Sequence, residues 1–345
     1  MIDPGRYTSG RIAISNLSAS IESLELRRSA HASFEDLIAL SKLLFLRGDL
    51  LGRIVDHDRA ELVANEAIGL SPHTANAIYV RAHLAARFHR FAEANQLLDQ
   101  ALAAGHPSRD IDVERAALLQ ATGQYNEALA VRELLMADDD PTIQSLGGFA
   151  TLLAEMDQWP RAESCYMAAL DADRGTSPIP CGQLLFEWGV SAMRRGDLDR
   201  AEEIFVELDS ILPQHVPGRG HRTEVALARG QMDLAQGLIT PLLAISDDPE
   251  YRATYAELLA ARGDHKAAII EAQRAAAGYE RLLARRPEAY ADHAAAFFTG
   301  FGNRPQLAVD LALANFKLRD TPRSRKLLRR ALKKAQQISI SKEAA

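Results

Sequence analysis

Ten histidines, 40 lysines and arginines and 46 aspartates and glutamates make up most of the chain's reactive side chains. Their spacing decides what chemistry they can share. The histidines stand at 31, 57, 73, 83, 89, 106, 215, 221, 265 and 293, and no two fall at i, i+4, the spacing that sets two imidazoles on one helix face for a metal. Neither H-E-x-x-H nor G-x-S-x-G occurs. GRGHR (218–222) lacks the spacing and the preceding strand of a phosphate-binding loop. Carboxylates gather at DHDRAE (Asp56 to Glu61) and at Asp138, Asp139 and Asp140 before Pro141. The first does not match a calcium loop, and the second falls where one helix stops and the next begins, a place where acids complement the helix dipole. Cys165 and Cys181 are too few for a disulfide framework or a four-cysteine zinc site and read as reduced thiols. The residues therefore predict no catalytic centre, no metal site and no cofactor, and the protein is not expected to be an enzyme.

The elements that would position these groups are helical. The 345 residues include 59 alanines and only 6% aromatics, a mixture that favours helix over sandwiches and barrels. Net charge is −6 and the isoelectric point about 6.0, which argues against a broad nucleic-acid surface. No run of apolar residues is long enough to span a bilayer, and the first twenty residues lack the apolar core of a secretory signal, so a soluble, cytoplasmic protein is expected.

One period runs through the chain. Alanine recurs in a similar frame at 60, 94, 128, 162, 201, 235, 268 and 308, and five of the seven spacings lie within one residue of 34. In LLFEWGVSAMRRGDLDRAEEIFVELDSILP (184–213), an apolar helix through Leu185, Trp188, Gly189 and Ala192 precedes a turn at Gly196. A second helix with Ala201, Phe205 and Leu208 stops at Pro213. Gly123, Tyr125 and Ala128 repeat the plan, as do Gly230, Met232 and Ala235, and Gly263, His265 and Ala268.

These residues resemble the tetratricopeptide repeat (TPR), a 34-residue helix–turn–helix, over about 33–320; the last unit resembles that of many bacterial TPR proteins. The consensus tryptophan of the first helix is absent, and the glycine of the close helix contact appears as Gly189 alone. The resemblance implies an all-α, right-handed α-solenoid of about eight helix-turn-helix units with a C-terminal capping helix. The expected layout is an N-terminal segment 1–32, loose over 1–16 with a short capping helix over 15–30, a solenoid 33–320, and a basic helix and tail 321–345. An insertion of about seven residues is expected between Gly48 and Ala60, and a loop at 171–181 containing Asp173, Gly175, Pro178 and Pro180 marks a candidate joint. Residues 321–345 carry +7, leaving −13 on the rest, and Leu327, Leu328, Ala331 and Leu332 give this helix a narrow apolar stripe.

In the family the first helix of each unit lines a concave groove. Counting from the turn glycine places Lys42, Asn76, Tyr79, His83, Glu114 and Gln120 on that face in the first three units. Gln144, Gln183, Glu187, Arg194, His221 and Glu224 follow in the middle units, and Glu257, Tyr290, His293 and Phe297 in the last two. Gly147 and Gly148 are expected to leave space there. The mixture of polar, charged and aromatic groups suits a peptide or protein segment. The lysine and asparagine clamp by which some TPR proteins hold acidic chaperone tails is missing, since Ile38 and His83 stand at two of its positions. The function expected is a non-catalytic protein-interaction scaffold or adaptor. Two alternatives stand beside it: a regulator that senses a small molecule or peptide in the groove, and a helical-repeat nucleic-acid binder.

Overall fold

The computed structural model describes residues 3–137 and 141–343, with side chains through Ile338; the aspartates at 138–140 lie outside the described residues. After a single turn of 3-10 helix at Pro4–Arg6, the described chain is a succession of α-helices. These are α1 (Gly10–His31), α2 (Phe34–Leu51), α3 (Ile54–Leu70), α4 (Ala75–Arg87), α5 (Phe91–Ala103), α6 (Ser108–Ala121) and α7 (Tyr125–Ala137). Then come α8 (Ile143–Glu155), α9 (Trp159–Ala172), α10 (Pro178–Arg195), α11 (Leu198–Ile211), α12 (Val216–Ala228), α13 (Met232–Ile239) and the short α14 (Leu242–Ile245). The last are α15 (Pro249–Ala261), α16 (His265–Arg285), α17 (Pro287–Thr299), α18 (Pro305–Leu318) and α19 (Pro322–Glu343).

The alanine period is the packing period. Ala60, Ala94, Ala128, Ala162, Ala201, Ala235, Ala268 and Ala308 each lie on the second helix of a pair and each has 0% exposure. A methyl side chain there lets the two helices approach closely. The partner position is as tight at Gly189 of α10, where an added Cβ would sit 2.5 Å from the Phe205 ring of α11. Gly196 ends α10 at φ 90°, the left-handed conformation that costs glycine nothing. His89 and Asp157 take the same conformation, at φ 60° and 59°, in turns that have no glycine.

The chain forms two compact units, each made of two segments: residues 1–77 with 129–247, and 78–128 with 248–345. In the first unit, α2 packs on α3, α8 on α9, α10 on α11 and α12 on α13. The first helices also pack side by side, α8 on α10 and α10 on α12. The N-terminal residues are anchored here. Tyr7 Oη–H donates to Asp173 Oδ2 at 2.9 Å, Thr8 N–H donates to the Thr176 carbonyl at 2.8 Å, and α1 packs on α2 and α10. The expectation of loose residues up to 16 therefore fails, because Ala13, Leu17, Ile21 and Leu24 form a buried stripe at helical spacing that begins only three residues into α1. This unit also closes on itself over a long sequence distance. Asp247 caps α3 from 193 residues away, accepting from Ile54 N–H at 2.7 Å and from Val55 N–H at 3.1 Å, and the Ser246 hydroxyl donates to the Gly52 carbonyl.

Three further readings of this unit are corrected. The extra residues after Gly48 do not lengthen the turn: α2 runs on through Gly48 to Leu51, the left-handed residue is Gly52, α3 starts at Ile54, and Gly48 gives room to the His57 ring of α3. The loop near 171–181 is confined to 173–177, because Pro178 and Pro180 start α10, where a proline's missing N–H leaves no helical bond unmade. Gly147 and Gly148 leave no open space, being covered by Leu184 and by the Arg132 guanidinium.

In the second unit, Ala82, Ala85, Phe91, Ala94, Leu98, Ala101, Ile111 and Leu118 pack α4, α5 and α6 into one core. A second core joins α15 to α19 through Ala253, Ala275, Tyr279, Ala294, Phe298, Ala308, Ala312 and Ala331. α19 docks on α17 and α18, with Leu327 and Leu328 packed against that core. This unit closes as the first does. His89 Nδ1–H donates to the Glu288 carbonyl, 199 residues away, at 3.1 Å, the Arg286 guanidinium lies 4.0 Å from the Phe88 ring centroid, and a Cβ at Gly123 would strike the Asp320 carbonyl.

Candidate interaction surface

In the first unit the surface grows from the side-by-side packing of α8, α10 and α12. Trp188, Leu185 and Phe205 are buried beneath it, which fixes the direction in which α10 presents Gln183, Glu187 and Arg194. Arg194 lies 3.8 Å from Glu155 of α8. On α12, His221 Nδ1–H faces Glu224 Oε2 at 3.2 Å and stacks at 5.7 Å on Phe186 of α10. Glu187 stands among these groups, open to water yet ringed by the chain. Burial pushes its carboxyl above the usual range, against the pull of Arg194. Arg132 reaches the same region from α7, and burial lowers its guanidinium while Glu155 opposes the shift. Gln144 on α8 and Gln183 are exposed, as are Lys42 on α2 and Asn76 on α4.

The second unit holds two groupings. Tyr79 stacks on His106 with centroids 4.0 Å apart, and burial, then Glu114, push its phenol up. His83 Nδ1–H donates to Glu114 Oε1 at 2.9 Å. Gln120 is half-buried on the same helix as Glu114. The other grouping centres on Asp292, 5% exposed, which accepts from Arg319 at 2.6 Å and has Arg323 at 3.9 Å. Burial opposes its ionisation, but His293, Arg319 and Arg323 hold its carboxyl well below the usual range. Asp292 and then Glu250, 3.4 Å away, push His293 up to about 10, while burial and then Arg319 pull His89 down to about 4. His293 is thus a fixed cation bound into an ion network, and it is too basic to serve as a proton acceptor near neutrality. Glu257 is exposed on α15 and Tyr290 half-buried on α17. Phe297 is a correction: it is buried against Tyr279 and Phe298 and belongs to the core.

Counting positions found the residues on the first helices. It missed Arg132 and His106, which come from other elements, and Asp292 and Arg319, which pair across helices; no spacing in the sequence signals those meetings. DHDRAE is structural: Asp56, fully buried, takes two 2.7 Å bonds from Arg47. Among the described residues no group of three or more His, Cys, Asp or Glu is arranged to hold a metal, and no helix is long and apolar enough to cross a membrane.

The two units are built mainly from consecutive helix pairs repeated along the chain, which defines the protein as an all-α helical-repeat protein. Solved structures share this helical-repeat fold. A chain of the APC/C hetero-tetramer Cut9–Hcn1 matches 89% of this chain with a TM-score of 0.53 at 17% identity. The present chain spans 59% of that chain's length. A tetratricopeptide repeat protein from Parabacteroides merdae matches 82% of this chain and 98% of its own length at 18% identity, with a TM-score of 0.46. Human IFIT1, solved with m7Gppp-AAAA, matches 87% of this chain and 72% of its own at 15% identity, with a TM-score of 0.44. No protein-family model matches the chain, and no curated protein does.

Proposed function

We propose that the chain is a non-catalytic scaffold or adaptor that binds a peptide or protein segment along its first helices, chiefly on the face built by α8, α10 and α12. One observation carries this reading. Glu187 and Arg194 of α10 and His221 of the next first helix, α12, meet on one water-accessible surface. A ligand's hydrogen-bond donor or cation can pair with the Glu187 carboxylate, and a ligand's carboxylate with Arg194. Phe186, stacked with His221, offers an apolar contact beside them. The structural likeness to a chain of the hetero-tetramer Cut9–Hcn1 is compatible with such a use.

Selection of a displayed random-peptide library on the immobilised protein tests the proposal. Enriched peptides should lose at least about tenfold in affinity, about 1.4 kcal/mol, on Arg194→Glu and on Glu187→Lys. Failure to enrich any peptide, or affinities indifferent to both substitutions, would refute it. A small molecule that raises the melting temperature in that case would favour the ligand-sensing alternative.

A further inference from the structure

The C-terminal helix holds a charged surface that the first-helix face does not involve. From Thr321 to Ser341 there are seven lysines and arginines and no acid. The docking of α19 divides its circumference. Ser324, Leu327, Leu328 and Ala331 face the core shared with α17 and α18. Arg323 and Arg325 are drawn toward Asp292 and Asp320, the latter a two-bonded pair at 2.5 and 2.9 Å. Lys326, Arg329, Arg330 and Lys333 are exposed on the outward arc, beside Leu332, which is also exposed. Lys326, Arg330 and Lys333 follow one another at i, i+4 and i+7, a straight seam about 10 Å long.

We propose that this seam docks an acidic segment of a partner protein. Leu327, Leu328 and Ala331 are already used in packing, and the exposed Leu332 leaves too narrow an apolar face among the described residues to hold the helix in a bilayer. The helix has no aromatic side chain on which a nucleic-acid base would stack. The charge distribution decides among polyanions. Residues 321–345 carry +7 and the remaining 320 carry −13. The first unit has 17 basic against 29 acidic side chains, net −12, and the second 23 against 17, net +6. Charges act over about 8 Å at physiological salt. A short acidic segment matches the seam's length and feels only its local field. A duplex or an anionic membrane extends well past it, and the rest of the second unit, net −1 without residues 321–345, adds no further net positive charge to hold it.

The test uses the full chain and fluorescein-labelled octaglutamate, followed by anisotropy at low salt and at about 0.3 M salt. Wild type should bind at low salt and weaken at least about tenfold at the higher salt. Lys326→Glu with Arg330→Glu and Lys333→Glu should abolish binding. The same three positions changed to Gln should weaken it with an unchanged melting temperature, which separates lost charge from lost folding. An unlabelled short DNA duplex and phosphatidylglycerol vesicles, added as competitors, should displace the peptide poorly. The proposal is overturned if wild type does not bind octaglutamate at low salt, if binding survives both triple variants, or if the duplex or the vesicles bind more tightly than the peptide.

Discussion

His215 closes the N-terminus of α12 with an atom that is free only on a neutral imidazole. Its Nδ1 accepts from Gly218 N–H at 3.0 Å, and the side chain is 3% exposed. A proton on Nδ1 would turn that acceptor into a donor and place a cation at the positive end of the helix dipole. Burial, and then His221, pull this imidazole down to about 4. The native state therefore binds fewer protons than the unfolded state between the ordinary 6.5 and about 4. Stability from this group is present above pH 6.5 and is lost as pH falls through that window, and His89 acts with the same sign. His293 has the opposite sign: its contribution is present below pH 6.5 and fades as pH rises toward 10. His215→Asn keeps a capping side chain without the titration. Urea midpoints measured across this pH range should fall less for His215→Asn than for wild type; parallel curves would show that His215 does not govern the acid loss.

The helix pair is the unit of stability, and its small residues are where substitution is felt most. Ala201 has no exposure, and Phe205, one turn further along α11, already fills the space over Gly189. Ala201→Leu should therefore cost about 1–3 kcal/mol or more through overpacking, read as a lowered denaturation midpoint at constant m-value. A midpoint at or above that of wild type would mean the pair has slack at its contact. This level of the fold was legible in the sequence because close helix contact demands a small residue at a fixed phase, and the chain repeats that demand at Ala60 through Ala308. The turns were less legible. Gly48 looks like a turn glycine but serves the His57 ring, while Gly52 ends the helix. His89 and Asp157 adopt the left-handed turn although their residue types do not require it. Pro178 and Pro180 carry the composition of a loop and start a helix.

At the scale of the whole chain, each of the two units joins segments far apart in sequence. Asp247 at the N-terminus of α3 closes the first, and His89 against the Glu288 carbonyl closes the second. Such closures leave no periodic trace, so a reading by repeats placed the helices and did not foresee which turns would meet. The same limit applies to the interaction surface. Phase along the repeat indicated that Gln183, Glu187, Arg194 and His221 share the layer of first helices, whereas the approach of Arg132 from α7 depends on tertiary packing. The central claim is that this layer binds another protein. A photo-crosslinking amino acid at Gln183, on α10, compared in cells with one at Val206, exposed on α11, tests it most directly. A discrete crosslinked partner is expected from position 183, lost when Arg194→Glu is added, and none from position 206. No adduct at 183, or equal adducts at both positions, would contradict it.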